Sequence, residues 1–370
     1  MNSRINVISN QEIKKIVDRY QNLRSQKQVL VKRFIEGKRP YLIFQTPPNT
    51  VVADMRSSEE SFYANIENVA LSLDVPSDHL PVMEPWFGTG VYANIYGCQY
   101  FWREGESPAV RYMYQTLEEV KNISKPRWEK SEIAQLVLDT IRYFKSKTGD
   151  AIPIVWTDTQ SASDTATLVL NATEVFAGCL IEPELIMNFM KGINEVVIEF
   201  SRVQAELIGN ALVKPGHIMF SHANFNGMSI SDDNLAVASP AVNMKFNLPL
   251  DEEIGRALGG VAIHSCGQWA HTMPLVKKIV PACVAIDCAI DKTCDPNPNE
   301  PEKVRDAFAG SDINVHVRLT GETDVMLETV KKLLHPKLKL VVRPNYVDIP
   351  TAERNYDVLN SLLSEYYGAK

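Results

Sequence analysis

The segment VAIHSCG at 261–267 carries the clearest candidate metal ligands of the sequence, His264 and Cys266. Residues two apart in an extended strand lie on the same face, about 6.6 Å apart along the chain, so the imidazole and the thiol can reach one point. An imidazole nitrogen and a thiolate are typical zinc ligands. In the structural alternative, His264 forms a hydrogen bond inside the fold and Cys266 fills apolar space.

Two ligands do not make a metal site, and the sequence leaves the third ligand open. Residues elsewhere in the chain carry suitable donor atoms, namely Glu84, His222, Asp232, Asp233 and the loop cysteine Cys294. Catalytic zinc sites use three protein ligands, so one of these would have to approach the pair. Their positions along the chain do not show which of them is the third ligand.

A second polar segment, 221–234, follows the apolar run 217–220 and contains His222 and the adjacent carboxylates Asp232 and Asp233. Adjacent carboxylates can orient a cation, or they can share a proton because each raises the pKa of the other. The same residue types also cap helices and turns. Both interpretations remain open at this point.

Further polar residues follow other apolar runs that read as strands. Asp158 and Gln160 come directly after the run 152–156, and Arg343 and Asn345 end the last run. An arginine there suits a carboxylate or phosphate, or forms a salt bridge across the rim. We predict catalytic roles for Asp158, Asp232 and Asp233, and substrate contacts from Trp86, Gln160, His222, Asp287, Arg343 and Asn345.

The elements that position these residues alternate between short apolar runs and helical segments, at intervals of roughly 25 to 40 residues, which predicts parallel βα units. The predicted strands begin at 41, 81, 152, 217, 261, 283, 313 and 338. Predicted helices cover 132–147, 183–209, 240–258, 269–279, 301–309, 322–334 and 351–367. Eight units favour an α/β fold of the (β/α)8 TIM barrel type over an open doubly wound sheet. In a (β/α)8 barrel the active site lies at the carboxyl ends of the strands.

The region before the regular pattern has a different character. Residues 1–40 predict an N-terminal helical extension, in which Ser9 and Glu12 have capping-box spacing. Residues 47–115 are irregular and rich in Pro, Gly and aromatic residues, which predicts an insertion whose segment 85–102 covers the site. We expect one barrel domain over 1–370.

Composition excludes several classes of protein. The 370 residues include 38 Lys and Arg against 45 Asp and Glu, a net charge of −7, so no positive field attracts nucleic acid. No apolar run approaches the roughly 20 residues that span a membrane. The first residues lack the apolar core of a secretory signal, and the six cysteines are scattered. We therefore expect a cytoplasmic protein with reduced thiols.

Taken in order, several motifs resemble the uroporphyrinogen decarboxylase superfamily, which includes cobalamin-linked methyltransferases. The motifs are FGTG at 87–90, YG at 96–97, TQ at 159–160, TA at 165–166, PE at 183–184, ISDDNL at 230–235, SP at 239–240 and HSCG at 264–267. The resemblance runs from roughly residue 80 to 367. It implies a (β/α)8 barrel with a cleft at the mouth.

Within this superfamily the sequence departs from both main patterns. True uroporphyrinogen decarboxylases carry an Arg-Gln-Ala-Gly-Arg-Tyr signature that binds substrate carboxylates, whereas this chain offers only QTPP at 45–48 and MR at 55–56. The methyltransferase branch binds zinc through a His-x-Cys pair, matched by His264 and Cys266, and a distant Cys near the last strand. Here the last strand ends VRPNY at 342–346, without a Cys, and RLTGET at 318–323 lacks the usual Gly-Asn-x-Asp-Pro.

The resemblance favours an enzyme, with two possible reactions, and leaves a non-catalytic binding protein as the alternative. The first is zinc-dependent methyl transfer between a methyl-corrinoid and a thiol or related small substrate, with a corrinoid protein as a partner. The second is decarboxylation of a tetrapyrrole or another acid, with Arg343 or Arg318 holding a carboxylate and Asp158 stabilising a protonated intermediate. The non-catalytic alternative binds a corrinoid or tetrapyrrole.

Overall fold

Short parallel strands alternate with helices in the computed structural model, which describes residues 7–46, 55–103 and 105–368. The strands are β1 (Tyr41–Ile43), β2 (Gln99–Phe101), β3 (Ala109–Arg111), β4 (Met228–Ser231), β5 (Val261–His264), β6 (Cys283–Ala289), β7 (Asn314–Leu319) and β8 (Lys339–Pro344). Six of them form one parallel sheet in the order β1-β8-β7-β6-β5-β4, and β2 pairs with β3 in a separate antiparallel hairpin.

Two further segments extend this sheet through single parallel bridges instead of full strands. Met83 bridges Ile154, Ile154 also bridges Leu212, and Gln160 bridges Ser231 in β4. The segments at 83 and 154 correspond to the strands predicted near 81 and 152. Together with the six strands, they provide the eight parallel positions of a (β/α)8 barrel.

The helices follow the predicted pattern closely from residue 130 onwards. They are α1 (Asn10–Ile35), α2 (Ser58–Ser72), α3 (Val91–Ile95), α4 (Leu117–Val120), α5 (Glu132–Thr148), α6 (Ala162–Val169), α7 (Ala172–Ile181), α8 (Pro183–Ile208), α9 (Asn234–Val237), α10 (Pro240–Val242), α11 (Leu248–Leu258), α12 (Met273–Ile279), α13 (Pro301–Phe308), α14 (Thr323–Leu333) and α15 (Ile349–Tyr367). A π-helical turn, Asn243–Asn247, joins α10 to α11. Within the described residues, none of these helices is both long and apolar enough to cross a membrane.

The N-terminal region contains more regular structure than its composition indicated. The capping box of α1 is present: the Glu12 N–H donates to Ser9 Oγ at 3.3 Å, and the Ser9 N–H donates to Glu12 Oε2 at 2.9 Å. The region 47–115, predicted to be irregular, contains α2, α3 and the β2–β3 hairpin. Residues 47–54 and 104 of that region lie outside the described residues.

The prediction of a strand at 217–220 is wrong. This apolar run turns inside the barrel, where the Met219 N–H donates to the Gly216 carbonyl at 3.0 Å. Met219 packs against Ala262 of β5 and Ala285 of β6, two small side chains that leave room for it. An apolar run indicates burial but does not distinguish a buried strand from a buried turn. The strand of this unit is β4, eleven residues further on.

This shift corrects the predicted position of His222. Because His222 precedes β4 instead of following a strand, it does not lie at the carboxyl ends. It lines a small cavity with Tyr20 and Lys27 of α1, and its ring contacts Phe225 at a centroid distance of 6.0 Å. His222 therefore lies away from the carboxyl-terminal mouth, where a substrate contact was predicted.

The starts of β4 and β5 approach each other at a pair of glycines, Gly227 and Gly260. A Cβ on Gly260 would lie 2.8 Å from Val284 Cγ1 and 3.1 Å from the Gly227 Cα, and Gly260 has φ +129°. Neither the space nor the backbone conformation accommodates an L side chain there.

We expect Gly260→Ala to lower the free energy of unfolding by about 2 to 3 kcal/mol, since it combines a steric overlap with backbone strain. The neighbouring Gly259 provides a matched control, because it has φ +79° but a Cβ added there would meet nothing within 4 Å. Gly259→Ala should therefore cost only about 1 kcal/mol from strain. Urea denaturation measures both, and equal losses would show that the close approach is unimportant.

Candidate active site

Three potential metal ligands meet at the carboxyl end of β5: His264, Cys266 and Asp233. Each offers one donor atom, and these atoms all lie within 4.8 Å of one another. His264 Nε2 is 3.4 Å from Cys266 Sγ and 3.9 Å from Asp233 Oδ1. A tetrahedral zinc ion with Zn–N near 2.05 Å and Zn–S near 2.3 Å holds such a nitrogen and sulfur about 3.5 Å apart. The arrangement therefore fits a divalent metal of the zinc type.

Buried groups behind His264 orient its ring. His264 Nδ1 lies 2.7 Å from Asp287 Oδ1 of β6, and Arg318 Nε of β7 lies 2.8 Å from the same oxygen. Burial alone would raise the pKa of Asp287, but Arg318 and His264 outweigh it and hold that pKa below its ordinary value. An ionised Asp287 accepts a hydrogen bond from His264 Nδ1, which orients the ring so that Nε2 faces the cluster.

The third donor belongs to a loop that a buried carboxylate fixes in place. Asp164 of α6 accepts the N–H groups of Asp233 at 2.7 Å and Asn234 at 2.9 Å. Asp233 Oδ1 in turn accepts the Cys266 N–H at 2.6 Å. These bonds explain why Asp233, of the candidates open at the sequence level, joins the pair. Within the described residues, Glu84, His222, Asp232 and Cys294 do not belong to this cluster.

The adjacent carboxylates Asp232 and Asp233 do not act as one unit. Asp232 is fully buried and belongs to a group with Asp164 and Asp251 inside the fold. Burial and mutual repulsion raise the pKa values of all three well above the ordinary value. The predicted catalytic role of Asp232 at the barrel mouth is therefore corrected to a structural one.

A second polar cluster surrounds Asp158, which follows the bridging segment at 154. Its carboxylate accepts hydrogen bonds from Trp86 Nε1 at 3.3 Å, Gln160 Nε2 at 3.0 Å and Ser231 Oγ at 3.4 Å. The structure thus brings together Trp86 from the segment 85–102 and Asp158 and Gln160 from the segment after residue 156. Asp158 is 3% exposed, so this carboxylate lies in a site largely shielded from solvent.

His217 joins this cluster, and its position in the sequence did not single it out. Its Nδ1 lies 2.7 Å from Glu84 Oε1, and its Nε2 lies 3.7 Å from Asp158 Oδ2. Burial lowers the pKa of His217, but Asp158 and Glu84 outweigh it and raise the pKa to about 9. Burial also raises the pKa of Glu84. At neutral pH His217 is therefore an imidazolium between two carboxyl groups. Because residues 217–220 were predicted to form a strand, His217 was not predicted to be a site residue.

The charge on His217 predicts a pH-dependent stability. A histidine whose pKa rises from 6.5 to about 9 on folding stabilises the fold fully below pH 6.5 and loses that contribution up to about pH 9. We expect His217→Gln to remove about 2 to 3 kcal/mol at low pH and progressively less as the pH rises. Urea denaturation at several pH values measures this. A deficit that stays constant from about pH 6 to about pH 10 would contradict the assignment.

Of the remaining predicted substrate contacts, Asn345 and Arg343 are at least partly exposed, and Asp287 is buried. Asn345 lies at the rim, exposed, where it accepts a hydrogen bond from Thr46 Oγ1 at 3.3 Å. Arg343 Nη1 donates to the Ile218 carbonyl at 3.1 Å, and its guanidinium lies over the Phe44 ring. Asp287, by contrast, is fully buried beneath His264. Its predicted substrate contact is corrected to a role in orienting His264.

Comparisons with known proteins agree with the described fold. The family model for uroporphyrinogen decarboxylase matches residues 87–215. Among solved structures, a methyltransferase from Methanosarcina mazei matches with a TM-score of 0.63 and 14% sequence identity, over 88% of this chain and 94% of that one. No curated protein sequence matches the chain.

A (β/α)8 barrel with polar residues at its carboxyl mouth defines the class of protein, and the predicted fold is confirmed. The uroporphyrinogen decarboxylase family model covers 129 of the 370 residues, and this match agrees with the resemblance that the motifs indicated. The matched range contains the motifs from FGTG at 87–90 to PE at 183–184. It ends before HSCG at 264–267, so the metal ligands there are inferred from the arrangement of their donor atoms.

Proposed function

We propose that this protein is a zinc-dependent methyltransferase that moves a methyl group from a methyl-corrinoid to a small thiol. The observation that carries the proposal is the convergence of His264, Cys266 and Asp233 at the barrel mouth. The structural similarity to the M. mazei methyltransferase supports it. Asp233 would replace the cysteine that the methyltransferase branch supplies near its last strand.

The protein's own residues prepare the site for this reaction. Asp287 accepts a hydrogen bond from His264 Nδ1 and so orients the ring with Nε2 facing Cys266. Asp164 fixes the loop that presents Asp233. Cys266 is exposed, so the cluster is open to a substrate.

A bound zinc ion would lower the pKa of a substrate thiol and favour its thiolate at neutral pH. In the transfer, a sulfur–carbon bond forms as the cobalt–carbon bond breaks, and the electron pair of that bond stays with cobalt. The products are a thioether and the reduced corrinoid, and the thiol proton leaves to solvent. No other oxidant or reductant is needed.

The test combines metal content with turnover. Elemental analysis of the purified protein should find near-stoichiometric zinc, and the zinc-loaded protein should convert methylcobalamin and 2-mercaptoethanol to the methyl thioether. A His264→Ala/Cys266→Ala double variant should lack both the metal and the activity. Protein that stays metal-free after zinc is offered would contradict the proposal.

Decarboxylation of a small acid is the second candidate function. It is favoured by the guanidinium of Arg343 near Glu84, His217 and the Asp158 cluster. Here Arg343 would hold a substrate carboxylate and Asp158 would stabilise a protonated intermediate. Release of carbon dioxide that persists after zinc removal would favour this candidate over methyl transfer.

A further inference from the structure

A cavity of about 180 Å³ lies between the end of β1, β8 and the turn at 216–219. Its walls include Phe44, Ser77, His79, Glu84, His217 and Arg343. None of the three proposed metal ligands lines it. Since one water occupies about 30 Å³ in the liquid, the cavity has room for roughly six waters or a small organic molecule.

Arg343 is a partly exposed cation on the cavity wall, whereas His79 Nε2 is fully buried and has no hydrogen-bond partner in the described residues. His79 is 7% exposed, and its ring is held between Phe44 and Phe220 at centroid distances of 4.2 and 4.8 Å. Arg343 donates only to the Ile218 carbonyl, and it forms no ion pair with a carboxylate in the described part of the chain. A carboxylate in the cavity would give this guanidinium the anionic partner that it lacks.

The balance of charge around the cavity favours an anion. Burial lowers the pKa of Arg343 to about 10, which still leaves its guanidinium charged at neutral pH. His217 is an imidazolium, and Glu84 is the acidic residue on the wall. Burial and nearby cations hold the pKa of His79 well below 6.5, so His79 is a neutral hydrogen-bond donor or acceptor.

We propose that this cavity binds the carboxylate of a small organic acid through Arg343, and that this carboxylate anchors the substrate. A planar carboxylate matches the geometry of a guanidinium and can accept from two donors at once. A cavity of about 180 Å³ has room for a short acid. Glu84 and His217 connect its wall to Asp158, so the rest of the ligand would extend towards the mouth.

The assignment of the bound acid as substrate depends on the proposed function, whereas the anion site itself depends only on the cavity. If the function is methyl transfer, the substrate is a short thiol acid. If it is decarboxylation, the substrate is a short acid without that thiol. The binding test therefore uses a probe without a thiol and compares metal-free with zinc-loaded protein.

The experiment titrates the full chain with propionate, its neutral isostere propionamide, and inorganic phosphate at constant ionic strength, with binding followed by thermal shift. Propionate should raise Tm in a saturable manner, and propionamide should not. Arg343→Gln should weaken propionate binding at least tenfold, about the effect of removing one partner of a buried charge pair. Arg354→Gln, which removes the same charge from an exposed position on α15, should bind as the parent does.

Arg343→Lys keeps the charge and tests the site if Arg343→Gln does not fold. It should bind propionate more weakly than the parent but still prefer it to propionamide, because lysine lacks the planar pair of donors. Equal binding of propionamide, unchanged binding in Arg343→Gln, or tighter binding of phosphate than of propionate would each overturn the proposal. Propionate binding that disappears when zinc is removed would also overturn it, since the cavity holds no metal ligand. Propionate binding to a protein that takes up no zinc would support the cavity and refute only the methyl-transfer function.

Discussion

Replacing Cys266 with Ala should weaken zinc binding by more than about a hundredfold, because even residues that only orient a ligand contribute ten- to a hundredfold. Cys266 is exposed, so its side chain contributes little to the core. The metal-free variant should therefore unfold at nearly the parent temperature. Zinc titration against a competing chelator measures the first effect, and calorimetry without metal measures the second.

Cys294 provides the matched control for this prediction. It is a free, partly exposed thiol in the loop after β6, and it lies outside the cluster of His264, Cys266 and Asp233. Cys294→Ala should keep parental zinc affinity. If Cys294→Ala lost the metal, or Cys266→Ala retained it, the ligand set derived from the geometry would be incorrect.

Removing Asp287 should have the largest effect on stability. This fully buried carboxylate pairs with Arg318, whose side chain is 14% exposed, and with His264. Asp287→Ala leaves Arg318 as an uncompensated charge, which costs about 3 to 5 kcal/mol at buried ion pairs. The same variant should weaken zinc binding by about ten- to a hundredfold, because His264 loses the group that orients it.

A double variant separates the lost ion pair from a general packing defect. Arg318→Met removes the cation that Asp287 neutralises, so Asp287→Ala/Arg318→Met should be more stable than the sum of the single losses implies. Urea denaturation of the three variants completes the cycle. Strict additivity would mean that Asp287 and Arg318 do not depend on each other.

The sequence determined the features that depend on residues close together in the chain. The capping box of α1 depends on two residues three apart, Ser9 and Glu12. The strands β5 to β8 were visible as apolar runs between helices, and their parallel arrangement follows from the helical connections. His264 and Cys266 could be paired because side chains in an extended segment repeat every two residues.

Only the tertiary structure decided which distant groups complete the site. Asp233 reaches His264 because β4 pairs with β5 and because Asp164 fixes the loop after β4. Neither contact can be predicted from residues close together in the sequence. The turn at 216–219 enters the barrel because Ala262 and Ala285 leave space on two other strands. That turn places His217 beside Glu84 and Asp158, and its Ile218 carbonyl accepts from Arg343. Local patterns reflect burial and backbone preference over a few residues, whereas these contacts depend on strand register and on volumes contributed by remote parts of the chain.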